Sequence, residues 1–312
     1  MAGCPLVSFR RPAHRGPSAR AGRVPKGGCR MGWEFTDDRG ITLRRIGRPE
    51  RVAAYVRAGA ALWDLGVRPV GVYGSGHDGD EPDRAKSGAL ADVPYLGAGK
   101  GLDDGAIRSV RPDLVVDVTY DREKPYAITE AAAKRAGAPV LALAVGGDTS
   151  LPGILARFAQ LAVALGGEPA GGDGELAAAE DAVRSAASAP LKVLALSAAG
   201  ARQVHLARPG TWPELRHLAE LGVELTEPGA GGANWSTTTW EHAVGLAPDL
   251  VLADARANAV PAGELESVPA WRALTSTAAV EPWNPELPCS AHAYAAFLRS
   301  VADALEVLGA KR

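Results

Sequence analysis

RPDLVVDVTY, running from Arg111 to Tyr120, and APDLVLADAR, running from Ala247 to Arg256, are nearly the same phrase set 136 residues apart. In each copy a helical stretch ends at Pro-Asp, and the apolar run that follows has the length of a strand and needs cover on both faces. Polarity returns at the end of each run, as TYDREKPY (residues 119–126) in the first copy and DARAN (residues 254–258) in the second. Strands covered on both faces belong to α/β sheets, where ligands gather beyond the carboxyl ends of the strands. The two polar runs are therefore expected to line a cleft. A helix-to-strand turn explains either copy alone, but not the matching order of elements around both.

Around the first copy, RVAAYV (51–56), PVGVYG (69–74), DLVVDV (113–118) and PVLALAV (139–145) read as strands. They alternate with the helical stretches GAALWDLG, LDDGAIRSV and AITEAAAKRAG, two of which close on a glycine, at Gly66 and Gly137. The pattern restarts with KVLALSA (192–198), the helices WPELRHLAELG and WEHAVGL, the strand DLVLAD (249–254), and a closing helix over residues 291–309. Between the halves, TSLPGILARFAQLAVALGG (149–167) predicts a helix of about 15 residues from Leu151, with Ile154, Leu155, Phe158, Leu161, Ala162 and Leu165 on one face. Pro152 suits its first turn and Gly166-Gly167 its end. A second helix, GELAAAEDAVRSAA, follows. The fold expected is α/β: two Rossmann-like lobes, residues 31–148 and 168–312, joined by one long helix over residues 149–167, with a ligand cleft between the lobes.

Composition limits the functions open to such a chain. Its 312 residues are 46% hydrophobic, enough for two cores, and the formal net charge is −2, which argues against general attraction to nucleic acid. Residues 1–30 hold seven basic residues and no acidic one, with much Gly and Pro. They read as a disordered basic leader, as an over-called start before Met31, or as the stump of a lipoprotein cleavage site ending at Cys4. Cys4, Cys29 and Cys289 make no disulfide framework and no zinc-binding pattern.

Several phrases together resemble the substrate-binding proteins of ABC importers for iron-siderophores, haem and cobalamin. They are WEFTDDRGITLRRIGRPERVAAYV, which opens like a β-ribbon, then LWDLGVRPVGVYG, IRSVRPDLVV, the bridging helix, and PAWRALTSTAAVEPW. The resemblance spans about Trp33 to Leu308. It implies a monomeric, non-catalytic solute-binding protein that captures a metal chelate, an iron-siderophore above all, and hands it to an ABC permease. No intrinsic cofactor is implied; iron would arrive inside the chelate. The family sets a permease-docking Glu seven residues before the Pro of each Pro-Asp phrase. Glu241 fills that position in the second half, whereas Gly105, flanked by Asp103 and Asp104, stands there in the first. The resemblance also implies an extracytoplasmic, membrane-associated protein; a chain complete as written, without a signal peptide, would instead be cytoplasmic.

Strand ends in such a binder select Tyr55, Arg57, Tyr73, His77, Tyr120, Arg122, Lys124 and Tyr126 in the first lobe. The second offers Trp212, Trp235, Trp240, Arg256 and Trp283. The cations are expected to neutralise an anionic chelate, and the aromatics to supply flat walls with one polar edge. Trp63 and Trp271 sit in helical patterns and read as core. His14, His77, His205, His217, His242 and His292 form no i,i+4 pair, so no direct metal site is expected, and the helical His217, His242 and His292 read as solvent-exposed. Enzyme motifs are scarce. YGSGHDG and GAGKG lack phosphate-loop spacing, and neither a Gly-x-Ser-x-Gly elbow nor a His-Glu-x-x-His pair occurs. Two alternatives share the architecture: an intracellular two-lobed binder that has lost transport, and a GT-B-like transferase for which GAGGANW would be a weak donor loop.

Overall fold

A computed structural model describes residues 32–99, 102–168 and 171–312. The leader, residues 1–30, lies outside the described residues. A ribbon opens the chain, with β1 (Gly32–Thr36) antiparallel to β2 (Thr42–Ile46). The DDRG turn between them fastens the ribbon to the first lobe. Asp37 accepts the backbone N–H groups of Arg39, Ile41 and Ala142, and Asp38 that of Ala144.

The first lobe follows as β3 (Val52–Tyr55), α1 (Val56–Asp64), β4 (Gly71–Gly74), α2 (Arg84–Ser87), β5 (Tyr95–Ala98), α3 (Asp104–Ser109), β6 (Leu114–Thr119), α4 (Glu130–Ala136) and β7 (Val140–Ala144). Its five strands lie parallel in the order β5-β4-β3-β6-β7. Every residue of β3, β6 and β7 is buried, as the apolar runs require. Gly59 lets α1 lie close to the sheet, because a Cβ there would stand 2.7 Å from the Val72 side chain. The helix α4 ends on Gly137 in the left-handed conformation.

The bridging helix α5 (Leu151–Ala164) is capped by Ser150, whose hydroxyl accepts the Gly153 N–H. Ile154, Phe158, Leu161 and Ala162 pack into the first lobe's core, while Leu151 joins that of the second. The second lobe holds α6 (Asp173–Ala186), β8 (Lys192–Ala198), β9 (Val204–Ala207), α7 (Pro213–Glu220), β10 (Glu224–Leu225), β11 (Trp235–Thr238), α8 (Trp240–Gly245), β12 (Leu250–Asp254), α9 (Ala262–Leu265), α10 (Pro269–Thr275), β13 (Ala279–Trp283) and α11 (Ala291–Gly309).

The second sheet runs β11-β9-β8-β12-β13, with β10 beside the start of β8. Here the Rossmann-like expectation holds for one side only. β8, β12 and β13 are parallel, but β9 and β11 are antiparallel, so that edge is a meander. The repeated phrases are β6 and β12, and each is fourth in its sheet. β6 lies between β3 and β7, and β12 between β8 and β13. The correspondence reaches into the turns. Arg111 and Ala247, the residues before the two prolines, both adopt positive φ, 44° and 49°.

Candidate functional site

Chain segments beyond the carboxyl ends of β4, β6, β7, β12 and β13, together with those after β9 and before β11, meet over a cavity of about 620 Å³. His77 comes from beyond β4, Tyr120 and Tyr126 from beyond β6, and Gly146 to Asp148 from beyond β7. Across from them stand Trp212, Asn234 and Trp235, Arg256 and Asn258 from beyond β12, and Pro285 and Glu286 from beyond β13. A second hollow, of about 600 Å³, lies on the outside of the first lobe between Ile41 and Pro139. It draws on one lobe only, whereas the first cavity is where both sheets deliver side chains.

Each wall is aromatic. On the first lobe Tyr120 and Tyr126 pack edge to face with ring centroids 4.9 Å apart, and Tyr55 backs Tyr126 at 5.6 Å. The loop that carries the outer pair is fixed from below. The Asp117 carboxylate, fully buried in β6, accepts the N–H groups of Val118, Ala127 and Ile128. Gly146 leaves room for the Tyr120 ring, which a Cβ would approach to 2.9 Å. On the second lobe Trp212 and Trp235 meet at 4.9 Å, and both rest on the buried Trp283. Trp283 Nε1 donates to Glu214 Oε1 at 3.2 Å.

A polar network forms the floor. Glu286, from the second lobe, accepts from Lys86 Nζ at 2.5 Å and from the Tyr55 hydroxyl at 3.0 Å, both in the first lobe. Arg256 reaches it at 3.3 Å, as does the Tyr120 hydroxyl. Burial works to raise the Glu286 carboxyl, but the Lys86, Arg256 and Arg57 charges overcome it and hold the group down at about 2. Lys86 also binds Asp78 at 2.8 Å, and Arg256 binds Asp254 at 2.8 Å. Arg57, 1% exposed, donates to the Leu287 carbonyl at 2.9 Å and approaches the Tyr120 and Tyr294 hydroxyls at 3.4 Å. Burial pushes the Glu214 carboxyl up to about 7, although Arg57 and the Trp283 N–H pull the other way.

The residues expected at the site divide into three groups. His77, Tyr120, Tyr126, Trp212, Trp235 and Arg256 line the cavity. Tyr55, Arg57 and Trp283 are buried and hold the lining in place. Tyr73, Arg122, Lys124 and Trp240 do not line it. Tyr73 is fully buried and its hydroxyl reaches the Val116 carbonyl at 3.4 Å. Trp240 packs on Trp271 in the second lobe's core, with Nε1 bonded to the Gly200 carbonyl. Arg122 bonds the Thr149 hydroxyl, and the Lys124 side chain, 80% exposed, extends near Asp121.

Two further expectations change. The lining cation is already paired with carboxylates, so it does not wait for an anion. His217 is buried, held between Glu180 at 2.8 Å and Glu220 at 3.3 Å, whereas His242 and His292 are exposed. Among the described residues no group of three His, Cys, Asp or Glu side chains could hold a metal ion. Sequence reasoning missed Glu286, Lys86, Asp78 and Glu214. For Glu286 the pointer was the rule already used for the other strands, since the residue lies three positions beyond β13.

No protein-family model matches the sequence, and no curated protein does. Solved structures do match. The ferric-siderophore receptor protein DesE from Streptomyces coelicolor is 27% identical, with 88% of this chain and 98% of that one covered at a TM-score of 0.78. FhuD from Vibrio cholerae, a siderophore-binding protein solved with Fe3+-Desferal bound, is 16% identical over 83% and 99% at 0.59. The periplasmic heme-binding protein RhuT from Roseiflexus sp. RS-1 is 18% identical over 83% and 99% at 0.57.

Proposed function

We propose that the chain is a member of the substrate-binding protein family of ABC importers for iron-siderophores, haem and cobalamin, a reading its likeness to DesE supports, and that it captures a ferric chelate between its lobes for delivery to a permease. The observation that carries this reading is the cavity at the strand ends, where Tyr120 and Tyr126 of one lobe face Trp212 and Trp235 of the other across about 620 Å³. A volume of that order admits a compact chelate rather than a macromolecule. Aromatic walls can pack on its organic shell and leave the metal coordination to the chelator. The relatives are receptors and binding proteins, and the site has no catalytic task in this reading.

Delivery asks for a docking face. Glu241 is exposed on the first turn of α8 and suits a permease cation. On the first lobe neither neighbour of Gly105 replaces the missing carboxylate. Asp103 caps α3 through the Ala106 N–H, and Asp104 pairs with Arg135 at 2.5 Å. Docking through the second lobe would therefore dominate, and the Glu241→Gln variant should bind chelate normally while losing stimulation of a reconstituted importer. No helix among the described residues is long and apolar enough to cross a membrane. The location proposed is extracytoplasmic, which cell fractionation would test.

Titration of the full chain with a ferric trihydroxamate tests the reading directly. Trp212 and Trp235 fluorescence should be quenched in a saturable way. Flat titrations with hydroxamate, catecholate, haem and corrinoid ligands alike would overturn it.

A further inference from the structure

We infer that Glu214 is a positioning residue of the chelate site: as it takes up or gives up a proton beneath the tryptophan wall, it sets how firmly the cleft holds its ligand. The inference rests on the binding function proposed above and concerns its regulation. Glu214 is 3% exposed and supports the wall from two directions. Trp212, which lines the cavity, stands two residues before it, at the start of α7. Trp283, on whose buried ring Trp212 and Trp235 both rest, donates its N–H to Glu214 Oε1 at 3.2 Å. Buried N–H groups are costly to leave unpaired, so the acceptor fixes the ring that carries the other two.

The groups that act on this carboxyl are Arg57 of α1, Arg216 of α7 itself, Cys289 from beyond β13 and Tyr294 of α11. Burial raises the Cys289 thiol and the Tyr294 hydroxyl and keeps both neutral. Arg216 extends to the carbonyls of Gly210 and Thr149, and Arg57 exerts the larger pull. Among the described residues Arg57 bonds no carboxylate; its partners are the Leu287 carbonyl and the hydroxyls of Tyr120 and Tyr294. Tyr120 belongs to the opposite wall of the cleft. One guanidinium therefore serves both walls, and the charge on Glu214 decides how it is shared. With the carboxyl neutral, Arg57 stays on Tyr120 and Leu287, and both walls are held. An ionised carboxylate, buried without an ion pair, draws Arg57 toward itself and away from the Tyr120 hydroxyl. The neutral carboxyl accordingly marks the binding state. Burial raises this group to about 7, so affinity is full well below that pH and falls as pH rises through it.

The full chain should be titrated by Trp quenching between about pH 5.5 and about pH 8.5 with an N-acetylated linear ferric trihydroxamate, whose own charge does not change over that range. Affinity in the parent should fall at least about fivefold from the acid to the alkaline end. Glu214→Gln keeps an acceptor for the Trp283 N–H and cannot ionise, so it should hold the parent's low-pH affinity throughout, within about twofold. Glu214→Leu leaves that N–H unpaired and should bind at least about fivefold more weakly than Glu214→Gln at every pH. Without ligand, the Trp emission maximum should shift across the same range in the parent and stay fixed in Glu214→Gln. A parent profile that is flat, or one that survives Glu214→Gln, would overturn the inference. A surviving profile would belong instead to Asp117, raised to about 7 beneath the opposite wall, or to His77 in the lining. A chelate that binds at no pH, while the emission shift still follows Glu214, would sink the binding function and leave the hold of this carboxyl on the wall standing.

Discussion

The Asp113 carboxylate accepts the backbone N–H groups of Glu50 and Arg51, just before β3, and the Asp249 carboxylate accepts that of Lys192, the first residue of β8. Each aspartate also donates its own N–H to the carbonyl of Arg51 or Lys192, both at 2.8 Å. The Pro-Asp pair is thus a clip that sets one strand against the next, repeated in both lobes. Positive φ at Arg111 and Ala247 is the strain that brings it about. Asp113→Ala and Asp249→Ala should each lose about 1–3 kcal/mol of stability, read as a lowered denaturant midpoint at unchanged slope. The repetition was legible in the sequence, but the clip was not, because its partners lie about sixty residues earlier in the chain. Glu214 escaped notice for a different reason: in WPELRHL it looks like an ordinary charge near a helix start. Its value of about 7, above the ordinary 4.5, means that the folded state holds the proton more tightly than the unfolded one. Its contribution is fully present below pH 4.5 and is lost as pH rises through about 7. Thermal unfolding between pH 5 and pH 8 should therefore show a decline that Glu214→Gln flattens, by on the order of 3 kcal/mol at most.

Elements with one strong period were read almost to the residue. α11 occupies the stretch 291–309 expected of it, and α5 buries Ile154, Phe158, Leu161 and Ala162 as its spacing requires. Phe158, fully buried in the first core, should cost about 3–5 kcal/mol on truncation to Ala, measurable by chemical denaturation. The strands that went unread, β5, β9, β10, β11 and β13, are short or mixed in polarity. YLGA and VHLA have four residues each, WSTT buries only Ser236 fully, and AVEPW carries a proline on an edge strand. These weak elements supply much of the site, since the segments before β11 and after β13 carry Asn234 and Glu286. Tyr120, Tyr126 and Arg256, beyond strongly patterned strands, were accordingly found, as were Trp235 of β11 and Trp283 of β13 by their residue type, whereas Asn234 and Glu286 beside those two edge strands were not. Trp240 shows the reverse error. As the first residue of α8 it follows a strand end, but the helix turns its ring onto Trp271 in the core. Loop positioning is open to test at this scale. Gly146→Ala would crowd the Tyr120 ring, and it should weaken chelate binding in the fluorescence titration at a stability cost of about 1–3 kcal/mol.

Across the whole molecule the lobes are joined at more than the bridging helix. Lys86, Tyr55 and Tyr120 of the first lobe converge on Glu286 of the second, and Arg57 bonds the Leu287 carbonyl. Asn284 donates to the Ala85 carbonyl at 2.5 Å, the Ala257 N–H reaches Asp83, and Ser290 pairs with Asp64 at 2.6 Å. A helix packed into the first core on one side and this polar seam along the cleft floor leave little freedom for large opening. Glu286 is the seam's centre, and its depressed value gives the sign of its pH dependence. The stability it contributes is present above pH 4.5 and is lost as pH falls toward about 2, so acid should release the lobes there. At neutral pH, Glu286→Gln would leave Lys86 with Asp78 alone and Arg256 with Asp254 alone, in surroundings almost without water. Breaking a buried pair in this way costs roughly 3–5 kcal/mol. The expected result is a lower unfolding midpoint together with a larger radius of gyration by small-angle scattering, whereas Glu241→Gln, on an exposed helix turn, changes neither. A Glu286→Gln protein that is destabilised without expanding would mean that α5 alone sets the spacing of the lobes.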